Sequence, residues 1–203
     1  MDGKNEKKIK EYMENLEYNG NISYNEAYNR LSPIALEFEE GKSRTSLMQV
    51  YYSKYGWAGA TNGYMMAFLP TEEHEATFGV QSTVDAHKTD ELKISEEGIE
   101  IICNHKNDKS GVVEPFDLEL SSPPDYFAIL PKLSDCAQGN PFRAIKGDFA
   151  HKLGDCLSND GYIKFIPEYA PKCSEKILIL GRSGFGVLST TQDEDIKTRE
   201  ATS

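Results

Sequence analysis

An α+β architecture is what this chain of 203 residues predicts, on three observations. Two stretches, Asn25 to Glu39 and Gly147 to Ser158, repeat apolar residues at helical spacing. Short apolar runs broken by Gly, Asn or Pro follow each of them, the pattern of strands joined by tight turns. The run Ala58-Gly-Ala-Thr-Asn-Gly-Tyr-Met-Met-Ala-Phe-Leu-Pro70 then reads as a hairpin, because Asn62 and Gly63 both tolerate the positive φ that two-residue turns demand.

From the N-terminus, Lys4 to Glu17 is a charged helical segment with Ile9, Tyr12, Met13 and Leu16 on one stripe. It is expected either to cap the domain or to bind a partner. Asn19-Gly20-Asn21 interrupts it, and Ser23 with Glu26 forms a capping box for the next helix. Ala27, Leu31, Ile34, Ala35 and Phe38 line that helix, with a kink or new turn at Pro33 and an end at Gly41. Ser46 to Ser53 and Gly56 to Ala60 are strands. Residues 70–89 read as a polar loop with a short strand at Thr77 to Val80. Leu92 to Cys103 alternates and turns at Glu97-Gly98, and Val112 to Leu120 is a further strand. Phe142 to Ile145 leads into the second helix, whose Phe149, Leu153, Cys156 and Leu157 share a face. Strands follow at Tyr162–Ile166, Lys176–Leu180 and Gly184–Leu188.

Composition is that of a water-compatible globular chain, 38% hydrophobic and 27% charged, with no apolar run near the ~20 residues of a membrane span. Met1-Asp-Gly-Lys4 lacks the apolar core of a signal peptide, so a cytoplasmic protein is expected. Cys103, Cys136, Cys156 and Cys173 are scattered without a Cys-x-x-Cys pair, which fits free thiols. The net charge of −11 excludes a simple nucleic-acid coat, though not a protein that encircles DNA with a basic inner face alone.

Two segments carry a family resemblance. Ala60-Thr-Asn-Gly-Tyr-Met-Met-Ala67, preceded by a helix and two strands, resembles the Ala-Thr-Asp-Gly-His-Arg-Leu-Ala pattern in the middle domain of the bacterial DNA polymerase III beta sliding clamp. Pro124-Asp-Tyr-Phe-Ala-Ile-Leu-Pro-Lys132 is similar to the Phe-Pro-Asp-Tyr-x-x-x-Leu-Pro-Lys pattern that ends that domain. The family's Asp, His and Arg are Asn62, Tyr64 and Met65 here, and of its second helix only a weak candidate, Asp85 to Leu92, lies between the two segments.

The resemblance implies a DNA-clamp-like fold, with antiparallel sheets and two helices packed on one side. Residues 21–190 would form it, from half-domain units at about 22–70 and 141–190 around a β-rich middle segment; residues 1–20 would be a helical extension and 191–203 a disordered tail. It further implies a processivity factor that binds double-stranded DNA without sequence preference through Arg30, Lys146, His151 and Lys152. Thr61, Gly63, Tyr64, Met65, Met66 and Pro131 would form a hydrophobic groove for DNA polymerase or clamp-loader peptides. Clamp rings hold about six domains, so this chain would act as a homo-oligomer of closed symmetry.

Enzymatic chemistry is not expected. His74, His87, His105 and His151 lack the spacing of a helical metal pair, and Cys103-Asn-His105 has no matching second pair. Gly181-Arg-Ser-Gly-Phe-Gly186 lies between two strands and so reads as a hairpin turn, without the helix a phosphate loop needs. Asp155, Asp160 and Glu168 show no acid–base pairing, and no cofactor or metal is expected. Two other readings stand beside the clamp. One is a monomeric clamp-fold module that binds peptides without enclosing DNA. The other is an acidic DNA mimic using Glu37, Glu39, Glu40, Glu72, Glu73, Glu96 and Glu97.

Overall fold

The centre of the molecule is a pair of strands too apolar to face water on either side. A computed structural model describes residues 3–18, 20–36, 45–75, 77–81, 91–95, 98–102, 124–126, 130, 147–167 and 176–189. In it β1 (Gln49–Ser53), β2 (Trp57–Thr61) and β3 (Met65–Pro70) form a meander, and every residue of β2 and β3 is buried. Strands β4 (Phe78–Gln81), β7 (Lys164–Pro167), β8 (Lys176–Leu180) and β9 (Phe185–Ser189) complete one antiparallel sheet of seven, in the order β4-β1-β2-β3-β9-β8-β7. A separate hairpin joins β5 (Glu91–Ser95) to β6 (Gly98–Ile102).

Among the described residues three helices cover the sheet: α1 (Gly3–Asn15), α2 (Tyr24–Leu31) and α3 (Gly147–Leu157). Strand periodicity decides what each meets, since successive side chains point to opposite faces. Met65, Ala67 and Leu69 join Val50, Tyr52, Ile177 and Ile179 on the face covered by α2 and α3. Met66 and Phe68 turn the other way, to Tyr51, Trp57, Phe185 and α1. The chain is therefore α+β, with two helices on one face of an antiparallel sheet and one on the other. No helix among the described residues is long and apolar enough to cross a membrane.

The sheet order has an internal pattern. An α-β-β-β unit (α2, β1, β2, β3) meets a second (α3, β7, β8, β9) through the β3–β9 pair, with Met66 opposite Val187 and Phe68 opposite Phe185. Close approach there explains the Gly-rich segment. A Cβ on Gly184 would fall on the carbonyl of Phe68, and one on Gly181 would fall on that of Leu157 at the end of α3. Gly181 N also donates to Gly184 O (2.9 Å), so the expected turn forms between β8 and β9.

Helix α1 is amphipathic and its stripe is buried by the chain's own sheet, through Ile9, Tyr12 and Met13. A polar contact fixes its position. The Glu6 carboxylate, 8% exposed, accepts from Ser53 Oγ (2.7 Å) and Thr77 Oγ1 (2.6 Å), and the Glu6 carbonyl accepts from Trp57 Nε1 (3.0 Å). The helix ends in a Schellman arrangement: Tyr18 N donates to Met13 O and Glu17 N to Glu14 O, with Glu17 at φ 64°.

Some boundaries differ from the expected ones. The helix expected to reach Glu39 stops at Leu31, because Pro33 offers no N–H and its ring crowds the preceding turn; Ile34 N bonds Leu31 O instead. The strand expected from Ser46 begins at Gln49, after a 3-10 turn over Thr45–Leu47. Ser95 pairs with Gly98, so the intervening two residues are Glu96 and Glu97, not Glu97 and Gly98. Glu91 and Leu92, the end of the weak helix candidate, belong to β5. The strands expected at Val112–Leu120 and Phe142–Ile145 lie outside the described residues, as does the tail.

Two substitutions test this account of α1. Glu6→Ala leaves the buried Ser53 hydroxyl and the half-buried Thr77 hydroxyl without their acceptor and lowers stability by about 2–3 kcal/mol in a denaturant melt. Glu17→Gly removes the Cβ penalty at a left-handed residue and raises stability by about 0.5–1 kcal/mol in the same assay.

Candidate functional site

The segment that carries the resemblance folds into a turn with one exposed ring. Asn62 N bonds Met65 O (3.2 Å), so Gly63 and Tyr64 are the central residues and only Gly63 has a positive φ, 90°. This is the type II′ pattern, with Gly first, rather than the Asn-Gly turn expected. Asn62 acts through its side chain: Oδ1 accepts from Tyr64 N and Met65 N, both at 3.0 Å. Thr61 Oγ1 donates to Met65 O (2.8 Å) and accepts from Gly63 N (3.1 Å). Tyr64 O receives Ser189 N (2.8 Å), which ties the turn to β9.

These bonds sort the expected groove residues. Thr61, Met65 and Met66 are buried, and the two thioethers point to opposite faces of the sheet, into separate cores. Tyr64 alone projects, 66% exposed, its ring stacked on Phe149 at 6.3 Å between centroids and 25° between planes. Pro131 lies outside the described residues. From the second segment, Tyr126 is buried against Trp57 and Phe68 in edge-to-face contacts, on the α1 side.

The expected DNA-facing residues are equally divided. Arg30 is turned inward: its side chain is 10% exposed, Nε donates to Cys156 O (2.7 Å) and Nη1 meets Glu26 Oε1 (3.2 Å), so it ties α2 to α3. His151 and Lys152 are exposed on α3, where Asp148 and Asp155 share the surface. His151 Nε2 stands 3.5 Å from Asp155 Oδ2. The described helical faces thus mix both signs of charge. Lys146 lies outside the described residues.

Among the described residues, no three His, Cys, Asp or Glu side chains gather as metal ligands. His74 packs edge-on to Phe78 and Tyr24. Burial pushes the Cys156 thiol up to about 12, with Arg30 opposing weakly, so at neutral pH it is protonated and a poor nucleophile. Asp160, hydrogen-bonded by Ser158 Oγ and Tyr162 N and paired with Arg182 (3.1 Å), has its carboxyl held below the usual range and closes the turn after α3. Cys103, His87, His105 and Glu168 are outside the described residues.

Sequence reading missed two features here: the inward role of Arg30, and the pairing of Tyr64 with Phe149. The second had a signal, because Phe149 begins the apolar stripe of α3 one turn before Leu153 and is only partly buried against the core. The chain matches no known protein-family model and no characterised protein sequence.

The turn geometry separates folding from recognition. Met66→Glu places a carboxylate in a closed core and is expected to destabilise by more than about 3 kcal/mol, while Tyr64→Ser changes stability by less than about 0.5 kcal/mol. Thermal melts of both variants provide the check.

Proposed function

We propose that this chain is a sliding-clamp-like, non-enzymatic tether of DNA replication, which holds a polymerase or similar partner near duplex DNA as a cytoplasmic homo-oligomer. The observation that supports it is the repeated α-β-β-β unit, joined at β3–β9, with α2 and α3 on the same face. It accompanies the two sequence segments from which the clamp resemblance was drawn. On this reading the α2–α3 face meets the phosphates, through Lys152 and His151 and through Lys146, while Arg30 holds the helices together. Contacts of this kind are few and diluted by Asp148 and Asp155, so binding is weak per copy and depends on enclosure.

A ring also needs seams. The outer strands described are β4 and β7, and head-to-tail pairing between them would extend the sheet from copy to copy. Pro167 has no N–H, so such a seam rests on Lys164 to Ile166. Partner peptides would reach the Tyr64–Phe149 pair from the sheet's upper edge, with Tyr64 supplying a ring at low entropic cost.

A second reading is favoured by the mixed charge of the described helices: a monomeric peptide-binding module that never encloses DNA. Light scattering over a concentration series, with and without circular DNA, separates the two. The clamp reading expects one closed assembly that, once on circular DNA, is retained by enclosure even as salt rises from about 50 to about 200 mM, and is lost when the DNA is linearised. A monomer at every concentration, with no retention on circular DNA, overturns it in favour of the module.

A further inference from the structure

The turn between β2 and β3 contains a pair of residues that can react with each other. In Asn62-Gly63 no side chain stands between the backbone nitrogen of the glycine and the asparagine amide, the arrangement most open to deamidation. Gly63 N attacks Asn62 Cγ, a C–N bond forms, and the side-chain nitrogen leaves as ammonia with the proton of Gly63 N. Water then opens the five-membered imide at one carbonyl or the other, giving aspartate or isoaspartate. Asn62 is half-buried and Gly63 exposed, so water reaches both.

The hydrogen bonds of the turn oppose this reaction. Gly63 N donates to Thr61 Oγ1 (3.1 Å), and that hydroxyl gives its own proton to Met65 O (2.8 Å), so it is no base for the amide. The other partner is held as well, with Asn62 Oδ1 accepting from Tyr64 N and Met65 N, both at 3.0 Å. Ring closure carries Cγ from non-bonded contact to bonding distance of Gly63 N, a movement of more than about 1 Å that these bonds resist. The strands on either side are buried throughout, so the turn has firm anchors.

We propose that Asn62 is a deamidation site that the folded turn keeps shut, so that it reacts only in copies whose β2–β3 hairpin has opened. Three hydrogen bonds of ordinary net worth amount to a protection of at least about tenfold. The two products then differ in consequence. An aspartate at this position still accepts from Tyr64 N and Met65 N, and the turn re-forms. An isoaspartate lengthens the main chain by a methylene inside a two-residue turn, which the pairing of Thr61 with Met66 does not accommodate. The turn thus keeps a covalent record of opening, whether or not the chain acts as a clamp.

Peptide mapping by mass spectrometry tests this on the full chain, held in mildly alkaline buffer with and without denaturing urea. The peptide containing Asn62 is expected to deamidate at least about tenfold more slowly in the native chain than in urea. Thr61→Val keeps the side-chain shape but removes both hydroxyl bonds, and is expected to raise the native rate severalfold with no change in urea. A thermal melt shows whether that variant is folded; if it is not, the native-to-urea ratio of the unsubstituted chain decides alone. After urea is removed, the refolded soluble fraction is expected to keep the aspartate product and to exclude the isoaspartate one. Equal rates in native and unfolded chain would overturn the inference, as would a native rate indifferent to Thr61→Val in the folded variant, or an isoaspartate product that refolds as readily as the aspartate.

Discussion

The pairing of β3 with β9 is the contact on which the rest of the structure depends. It joins residues more than a hundred positions apart and makes one sheet out of a four-stranded and a three-stranded piece. Each piece alone would expose an unpaired edge and a half-covered hydrophobic face. Joined, they give Met65 and Leu188 a common ceiling in α2 and α3, and Phe68 and Phe185 a stacked contact at 4.9 Å beneath α1. Because the two backbones lie so close, the glycines after β8 are held there by space rather than by any phosphate.

The same closure explains what makes Arg30 important. Ends of helices leave carbonyls without intrahelical partners, and the end of α3 is satisfied from two sides: Cys156 O by Arg30 and Leu157 O by Ser183 N (2.9 Å). One helix is thus pinned by a side chain from the first α-β-β-β unit and by a turn of the second. The arginine that composition would place in solvent is structural, and Cys156 beside it is sealed from it.

Much of the fold was legible in the sequence. Lys-Ile-Leu-Ile-Leu and Gln-Val-Tyr-Tyr-Ser are β-rich runs bounded by breakers, and α3 shows its stripe openly, so the strand and helix types followed from period and punctuation. Boundaries were less legible where one residue decides, as with Pro33, or where a side chain substitutes for backbone, as with Asn62 at the turn. The site was harder still. Met65 and Met66 look alike as letters, and only the register with Leu188 and Val187 assigns them to opposite cores. Arg30, His151 and Lys152 share a charge class in the sequence, yet burial sends the first inward and leaves the others out. Period shows which side of a helix is apolar; it does not show which cation a neighbouring helix end will claim.

The seat of α1 has a consequence for how the chain is made. Ile9, Tyr12 and Met13 are synthesised long before Phe185 and Val187, which belong to the surface that receives them. Tyr51, Trp57 and Phe68 offer the helix part of its seat early, but the seat is complete only when β9 has slotted beside β3. The sheet is closed late, so a polypeptide stalled before β9 displays a partly uncovered α1, a mark by which quality control can recognise an unfinished copy.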